Sequence, residues 1–502
     1  MTLPPEPTST RTVGRVTIVA LITAQFFVTL DGSAVTVALP TIRDTLDANA
    51  MGLQWTQIAY MLTAAAVALP WGAAGDRLGR RRMLGASLAV FVLGGIVTAT
   101  APSIQILIGG RVLSGAGASG ILVLGLGILS GGVPARQVAT VVGAWTALSS
   151  AASLVAPAFS GWIIETAGWR WVFVAAIIPA LIVTMIVLID HPPSLGAEAD
   201  GVDAYGSALL IFATFMIVLG VNQLATADAS VPLVLGCVGV GLFAWYLFVR
   251  RQRSGRALID WDIMRRRPVP LLLGLRWALA LIFTGVAYQE TMLLQNGLGF
   301  TPLQAGAFDI PPALAATGAA AGAAWLVRRL GIGVTAGTAF ALLALGTLGL
   351  GVSDLYNAVP ALMVAFVAVG AGFGLAVASL SAGVLTHVPR ESQGGGSGLL
   401  NLLSQVAAVL GIAVVGALVA GLVAQSWNAT GGPECPSDED LLGDIVAGAL
   451  DEVGSVCGAP IQALAQQAYL DGITDALLVA AALLMLCAVT AAAGLRRVTV
   501  PQ

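Results

Sequence analysis

Four ionisable residues lie inside stretches of this sequence that oil would accept: Asp31, Arg111, Glu290 and Asp309. A charge at the centre of a membrane helix costs roughly 2.5 to 3.5 kcal/mol on insertion scales, so such residues face a bundle interior or a watery cavity and mark function. At about 1.5 Å per residue, Asp31 lies roughly 13 Å from the outer end of its apolar run. Arg111, Glu290 and Asp309 fall at a similar depth in theirs, about seven residues from the outer end.

The expected arrangement is a polar ring in the outer half of a cavity, three acids against one arginine. Arginine keeps its proton under biological conditions, so Arg111 would hold a carboxylate charged while a carboxylate, Asp31 first, carries protons. Neither histidine competes for that role, because His191 falls in a loop and His387 at the inner end of its run. Glu290 and Asp309 would favour cationic ligands, and Tyr60, Trp145, Trp277 and Tyr288 offer ring faces to an organic cation. A hydrogen-bonded structural acid is the other reading of Asp31, helix-end residues that of Glu290 and Asp309, and ordinary packing that of the aromatics. Arg276, about 10 Å from the inner face, is expected to snorkel.

The setting of these residues follows from composition: 57% hydrophobic, only 10% charged and a mean hydropathy of +0.91 place the chain in a membrane. Apolar runs long enough to span a bilayer fall near 16–40, 55–74, 83–101, 104–130, 138–162, 171–190 and 205–225. A second set falls near 231–250, 269–295, 302–327, 332–352, 358–386, 397–424 and 474–495. These are fourteen expected helices. With the N-terminus inside, the arginine-rich loops all fall in the cytoplasm and only Arg43 and Arg170 fall outside, as positive-inside retention requires. Both termini are then cytoplasmic, and the first helix is an uncleaved anchor, because the tail lacks a signal-peptide cleavage pattern.

The chain has no lysine, all 23 basic residues being arginine. That excludes a conventional P-loop ATPase and Schiff-base chemistry. A membrane-embedded enzyme is disfavoured as well, since there is no H-E-x-x-H, no paired cysteine ligand set and no histidine at mid-membrane depth; no metal or cofactor is expected. The long outer loop, 425–474, is acidic and holds Cys435 and Cys457, which an oxidising compartment would allow to pair; two free thiols is the alternative. Part of the loop, "SDEDLLGDIVAGALDEVGSV", has helical periodicity. Its acids either are simply solvated or concentrate cations near an exit.

"GAAGDRLGRRR", residues 72–82, resembles the loop signature of the major facilitator superfamily, G-x-x-x-D-[RK]-x-G-[RK]-[RK], through Gly72, Asp76, Arg77, Gly79, Arg80 and Arg81. "LIGGRVLSGAGASG" (107–120) is similar to the family's fourth-helix signature. "LDGSAVTVALP" (30–40), "WRWVF" (169–173) and "LLQNGLGFTPLQAG" (293–306) resemble segments of its fourteen-helix drug:proton antiporter branch. The fifth-helix antiporter signature, g-x-x-x-G-P-x-x-G-G, reads here "ASLVAPAFSG" (152–161), keeping Pro157 and Gly161 but replacing three glycines by Ala152, Ala156 and Ser160. Small residues still permit close packing, and Pro157 still kinks the helix.

The resemblance implies an all-α membrane protein with the major facilitator fold: two six-helix halves, 16–190 and 269–495, two inserted helices in 191–268, and cytoplasmic tails 1–15 and 496–502. "DRLG" (76–79) is echoed by "RRLG" (328–331), a trace of the repeat. Parallel repeats place the substrate site between the halves. The resemblance further implies that the 72–82 loop is a cytoplasmic gate and that the protein is a proton-driven exporter of amphipathic, cationic drugs in the bacterial inner (plasma) membrane. It would use the proton gradient and no cofactor, with no nucleic-acid partner, and is expected to act as a monomer. A proton-coupled transporter of an endogenous metabolite or lipid is the alternative.

Overall fold

The computed structural model describes residues 14–133, 135–190, 204–223, 230–252, 268–352, 359–387, 393–431 and 441–496. Every element among them is helical, as a bilayer demands, because a helix satisfies its own backbone hydrogen bonds. The first eight are α1 (Arg15–Leu46), α2 (Ala50–Leu78), α3 (Arg80–Ala99), α4 (Ile104–Gly132), α5 (Ala135–Ala167), α6 (Arg170–Asp190), α7 (Ala204–Asn222) and α8 (Val231–Gln252). Next come α9 (Val269–Met292), which ends in a π turn (Leu293–Gly297), α10 (Pro302–Phe308) and α11 (Ile310–Leu350). The chain closes with α12 (Val359–His387), α13 (Gln393–Ala429), α14 (Leu441–Ala447), α15 (Leu450–Cys457) and α16 (Ala459–Gly494).

Each expected run falls on helix, with boundaries shifted. By length and hydropathy alone eight described helices can cross a membrane, or up to ten if each bent pair is one span. α11, one of the eight, carries two expected runs. Its 41 residues would span about 60 Å if straight, twice the ~30 Å hydrocarbon thickness. It is broken at Gly331, whose φ of 82° no other residue type adopts readily. Gly79, at the α2–α3 turn, has φ 94°. The "DRLG" and "RRLG" echo therefore marks the same device twice, a positive-φ glycine at a break between two helical stretches.

The loop expected over 425–474 is shorter than that. α13 runs on to Ala429 and α16 already begins at Ala459, because a helix continues through polar residues at which an apolar run stops. The periodic stretch between them becomes α14 and α15. Cys457 is disulfide-bonded, and Cys435 lies outside the described residues.

Within the first group of helices α1 packs on α5 and α6, α3 on α4 and α6, and α2 on α4; in the second, α11 packs on α12 and α16, and α9 on α13. α7 lies on α8 and against both α2 and α13. Small residues set these distances. A Cβ on Gly115 of α4 would collide with the backbone of Tyr60 on α2, and one on Gly411 of α13 with the carbonyl of Leu281 on α9. Gly72 is different, since a Cβ there would meet Val123 at an ordinary 3.5 Å. Close approach in the "GAAGDRLGRRR" segment falls instead to Gly75, which packs against Leu124.

Contacts that join the two groups lie toward the end of the bundle that carries α14 and α15. Gly161 of α5 sits against the backbone of Pro302 and Leu303, and Gly306 against Pro157. Gln295 Nε2 donates to the Val37 carbonyl (3.1 Å), and the Leu303 amide to Glu165 Oε1 (3.1 Å). This explains the degenerate fifth-helix signature. Ala152, Ala156 and Ser160 are fully buried with their Cβ atoms accommodated, whereas at Gly161 the facing backbone leaves no room for one.

Replacing Gly115 by Leu is expected to cost about 1 to 3 kcal/mol or more through overpacking, read as a lowered unfolding temperature in detergent. Gly421→Leu, at a site with nothing within 4 Å, is the matched control and should leave it unchanged.

Candidate functional site

α1 and α4 bring Asp31 and Arg111 together. Arg111 Nη1 donates to Asp31 Oδ2 at 2.9 Å, with side chains 0% and 3% exposed. Arg111 Nε donates to the Thr56 carbonyl of α2 at 3.3 Å. The guanidinium lies over the Tyr60 ring, 4.1 Å from its centroid, and 5.7 Å from that of Phe173. Its Nη2 is buried with no hydrogen-bond partner. Tyr60 is fixed in turn by a bond from its hydroxyl to the Val28 carbonyl (3.3 Å) and by Gly115 behind it.

Between the two groups lies a cavity of about 780 Å³. Tyr60, Gly32, Gln57, Tyr288, Glu290 and Asp309 are on its wall, with an apolar floor that includes Phe283 and Phe373. Those two rings stack with centroids 3.7 Å apart. Glu290 is buried, and its Oε1 has no hydrogen-bond partner. Asp309 sits at the joint between α10 and α11. Thr301 and Gln304 cap α10 reciprocally, and Pro311 and Pro312, which lack N–H groups, open α11.

The four charges expected in one ring are thus divided. Glu290 and Asp309 line the cavity, while Asp31 and Arg111 stand outside its lining, with Gly32 and Tyr60 on the wall beside them. Asp31, expected to carry protons, is not open to the cavity in this conformation, because the Tyr60 ring covers the guanidinium that holds it. Of the four aromatics, Tyr60 and Tyr288 line the cavity; the buried Trp145 and the partly exposed Trp277 do not.

At the other end of the bundle, Arg80 Nη1 donates to the Gly127 carbonyl of α4 (2.8 Å), a contact within the first group. Arg77 is exposed, Arg81 partly so, and Asp76 lies in the last turn of α2 with its side chain outside the described residues. Pro157 lies inside α5 and on the cavity wall.

Sequence reasoning missed the neutral polar residues. Gln57 lines the cavity, donates to the Gly32 carbonyl (3.2 Å) and leaves its Oε1 buried without a partner. Gln295 makes the buried bond between the groups. An amide inside an apolar run was the available signal, weaker than a charge because it costs less to bury.

The chain matches the model of the Major Facilitator Superfamily over residues 21–412. It is 28% identical over 491 residues to the multidrug resistance protein Stp of Mycobacterium tuberculosis, covering 93% of this chain and 89% of Stp. It is 25% identical over 500 residues to the multidrug efflux pump LfrA of Mycolicibacterium smegmatis, 98% of each. Its fold is similar to the inward-facing, unoccupied structure of a bacterial homologue of the human lysosomal transporter Spinster, with a TM-score of 0.69 at 16% identity over 98% of both chains.

A buried ion pair broken on one side leaves a bare charge, at a cost of about 3 to 5 kcal/mol. Asp31→Asn and Arg111→Gln are each expected to lower thermal stability in detergent, and the double variant to lose less than the sum. Additive losses would mean that the pair contributes no coupling.

Proposed function

The chain belongs to the Major Facilitator Superfamily and is a multi-pass membrane transporter, not an enzyme; from that premise we propose that it is a proton-driven multidrug exporter working by alternating access. The observation that carries this reading is the Asp31–Arg111 pair, fully buried yet one aromatic ring away from a cavity lined by two further carboxylates. The end bearing α14 and α15 faces outward and the arginine-rich end faces the cytoplasm, in keeping with positive-inside retention. The contacts joining the groups then seal the outer side, and the conformation is inward-facing.

In the cycle, Asp31 takes a proton from outside in the outward-facing state and releases it to the cytoplasm in the inward-facing one. Protonation removes the charge that holds Arg111. The guanidinium is stacked on Tyr60, and Tyr60 forms part of the cavity wall, so proton occupancy and the shape of the wall change together. Glu290 and Asp309 favour a basic group on the ligand. Arg80 and its neighbours in the 72–82 loop serve the cytoplasmic gate, and Pro157 with Gly161 lets α5 follow α10 as the outer seal opens.

The test is uptake of a fluorescent organic cation into liposomes holding the purified protein, with an imposed proton gradient and no ATP. Wild type is expected to concentrate the dye and Asp31→Asn to lose that uptake by tenfold or more, on the order of 1.4 kcal/mol of coupling. A wild-type protein that binds the dye without moving it along the gradient would overturn the reading and favour an endogenous substrate.

A further inference from the structure

Arg276 is a charge inside an expected membrane run, 269–295, that the proposed cycle does not use. Phe283, Thr284, Ala287, Tyr288, Glu290 and Thr291 of α9 face the cavity. Seven residues are close to two full turns, so Arg276 and Trp277 repeat the face of Phe283 and Thr284 about 10 Å nearer the arginine-rich end. Both are partly exposed, and Arg276 Nε is buried without a hydrogen-bond partner.

No acid is placed to neutralise Arg276 among the described helices around it. α9 packs on α12, α13, α16 and α1. α12 and α13 contain no aspartate or glutamate, and the acids of α16, Asp471 and Asp475, lie near its middle, whereas its C-terminal end, at Gly494, is the part that packs on Leu271 at the start of α9. On α1 the mid-helix acid, Asp31, is taken by Arg111. Snorkelling toward lipid headgroups, the ordinary fate of such an arginine, is at odds with a position two turns along from Phe283, on the continuation of the cavity-lining face of α9. A bare cation there opposes capture of a simple organic cation from the cytoplasm, while Glu290 and Asp309, about 20 Å further along α9 and at the head of α11, attract one.

We infer that the transported molecule carries an acidic group as well as a basic one, and that Arg276, followed in the chain by Trp277, binds the acidic group at the cytoplasmic mouth of the cavity. The guanidinium offers a planar pair of donors that fits a carboxylate, sulfonate or phosphate oxygen pair, and Trp277 offers an apolar face for the adjoining scaffold. The substrate class is an amphipathic zwitterion. The inference rests on the exporter reading in taking this cavity as the substrate site.

The test uses one rhodamine chromophore in two forms, the zwitterion with its free carboxylate and the ethyl ester, a plain cation. Binding of each to the purified full-length protein is measured by fluorescence anisotropy, and the acid-to-ester affinity ratio is compared between variants; a ratio is insensitive to the folded fraction of a preparation. Arg276→Gln is expected to lower the ratio about tenfold, and Arg276→Lys to keep most of it. An equal ratio in wild type and Arg276→Gln would overturn the inference while leaving the exporter reading intact. Gradient-driven uptake, measured in parallel, decides that reading separately: a lowered ratio without uptake in wild type would support Arg276 as an anion reader and remove proton-driven export. Wild type that binds neither dye would overturn both.

Discussion

A carboxylate and a guanidinium held 2.9 Å apart with almost no exposure constrain the packing around them, because hydrocarbon solvates neither charge. The pair is tolerated only while each ion neutralises the other and further donors and acceptors are at hand. Here α1 supplies Asp31, α4 supplies Arg111, α2 supplies the Thr56 carbonyl and the Tyr60 ring, and α6 supplies Phe173. Four helices are fixed to one another at this point. The glycines of α4 follow from it, since Gly115 must admit the backbone of Tyr60 for the ring to reach the guanidinium.

The two groups of helices meet by contacts of another kind. Gln295 with the Val37 carbonyl, the Leu303 amide with Glu165, and glycines against bare backbone include no buried ion pair. Separating them exposes neutral groups that water in an opening cavity can satisfy, whereas separating Asp31 from Arg111 would strand two charges. A protein that rocks one group against the other is served by this division, strong charge pairing within a group and weak neutral contact between them. The π turn after α9 adds Gln295 to that contact surface without adding a charge.

The cavity repeats the same separation of roles. Its wall is largely apolar, with the carboxylates of Glu290 and Asp309 set into it. Tyr60 belongs both to the wall and to the buried pair. One ring therefore touches both the cavity and the ion pair.

Sequence alone determined the solvent, and through it most of the fold. Apolar runs too long for a soluble core, and Asp31 and Arg111 where a lipid-facing charge would be costly, made the helices and the buried pair's members legible. Those signals are local, set by composition and spacing along one helix. What lies across helices was decided only by tertiary structure: that Arg111 reaches Asp31 but not Glu290 or Asp309, that Tyr60 lies over the guanidinium, that Trp145 and Trp277 are off the cavity wall while Gln57 is on it, and that Gly75 rather than Gly72 permits close approach. Depth along a helix follows from counting residues, but the direction in which a side chain points relative to other helices depends on their rotation and crossing. Packing fixes these, and no single run of sequence contains them.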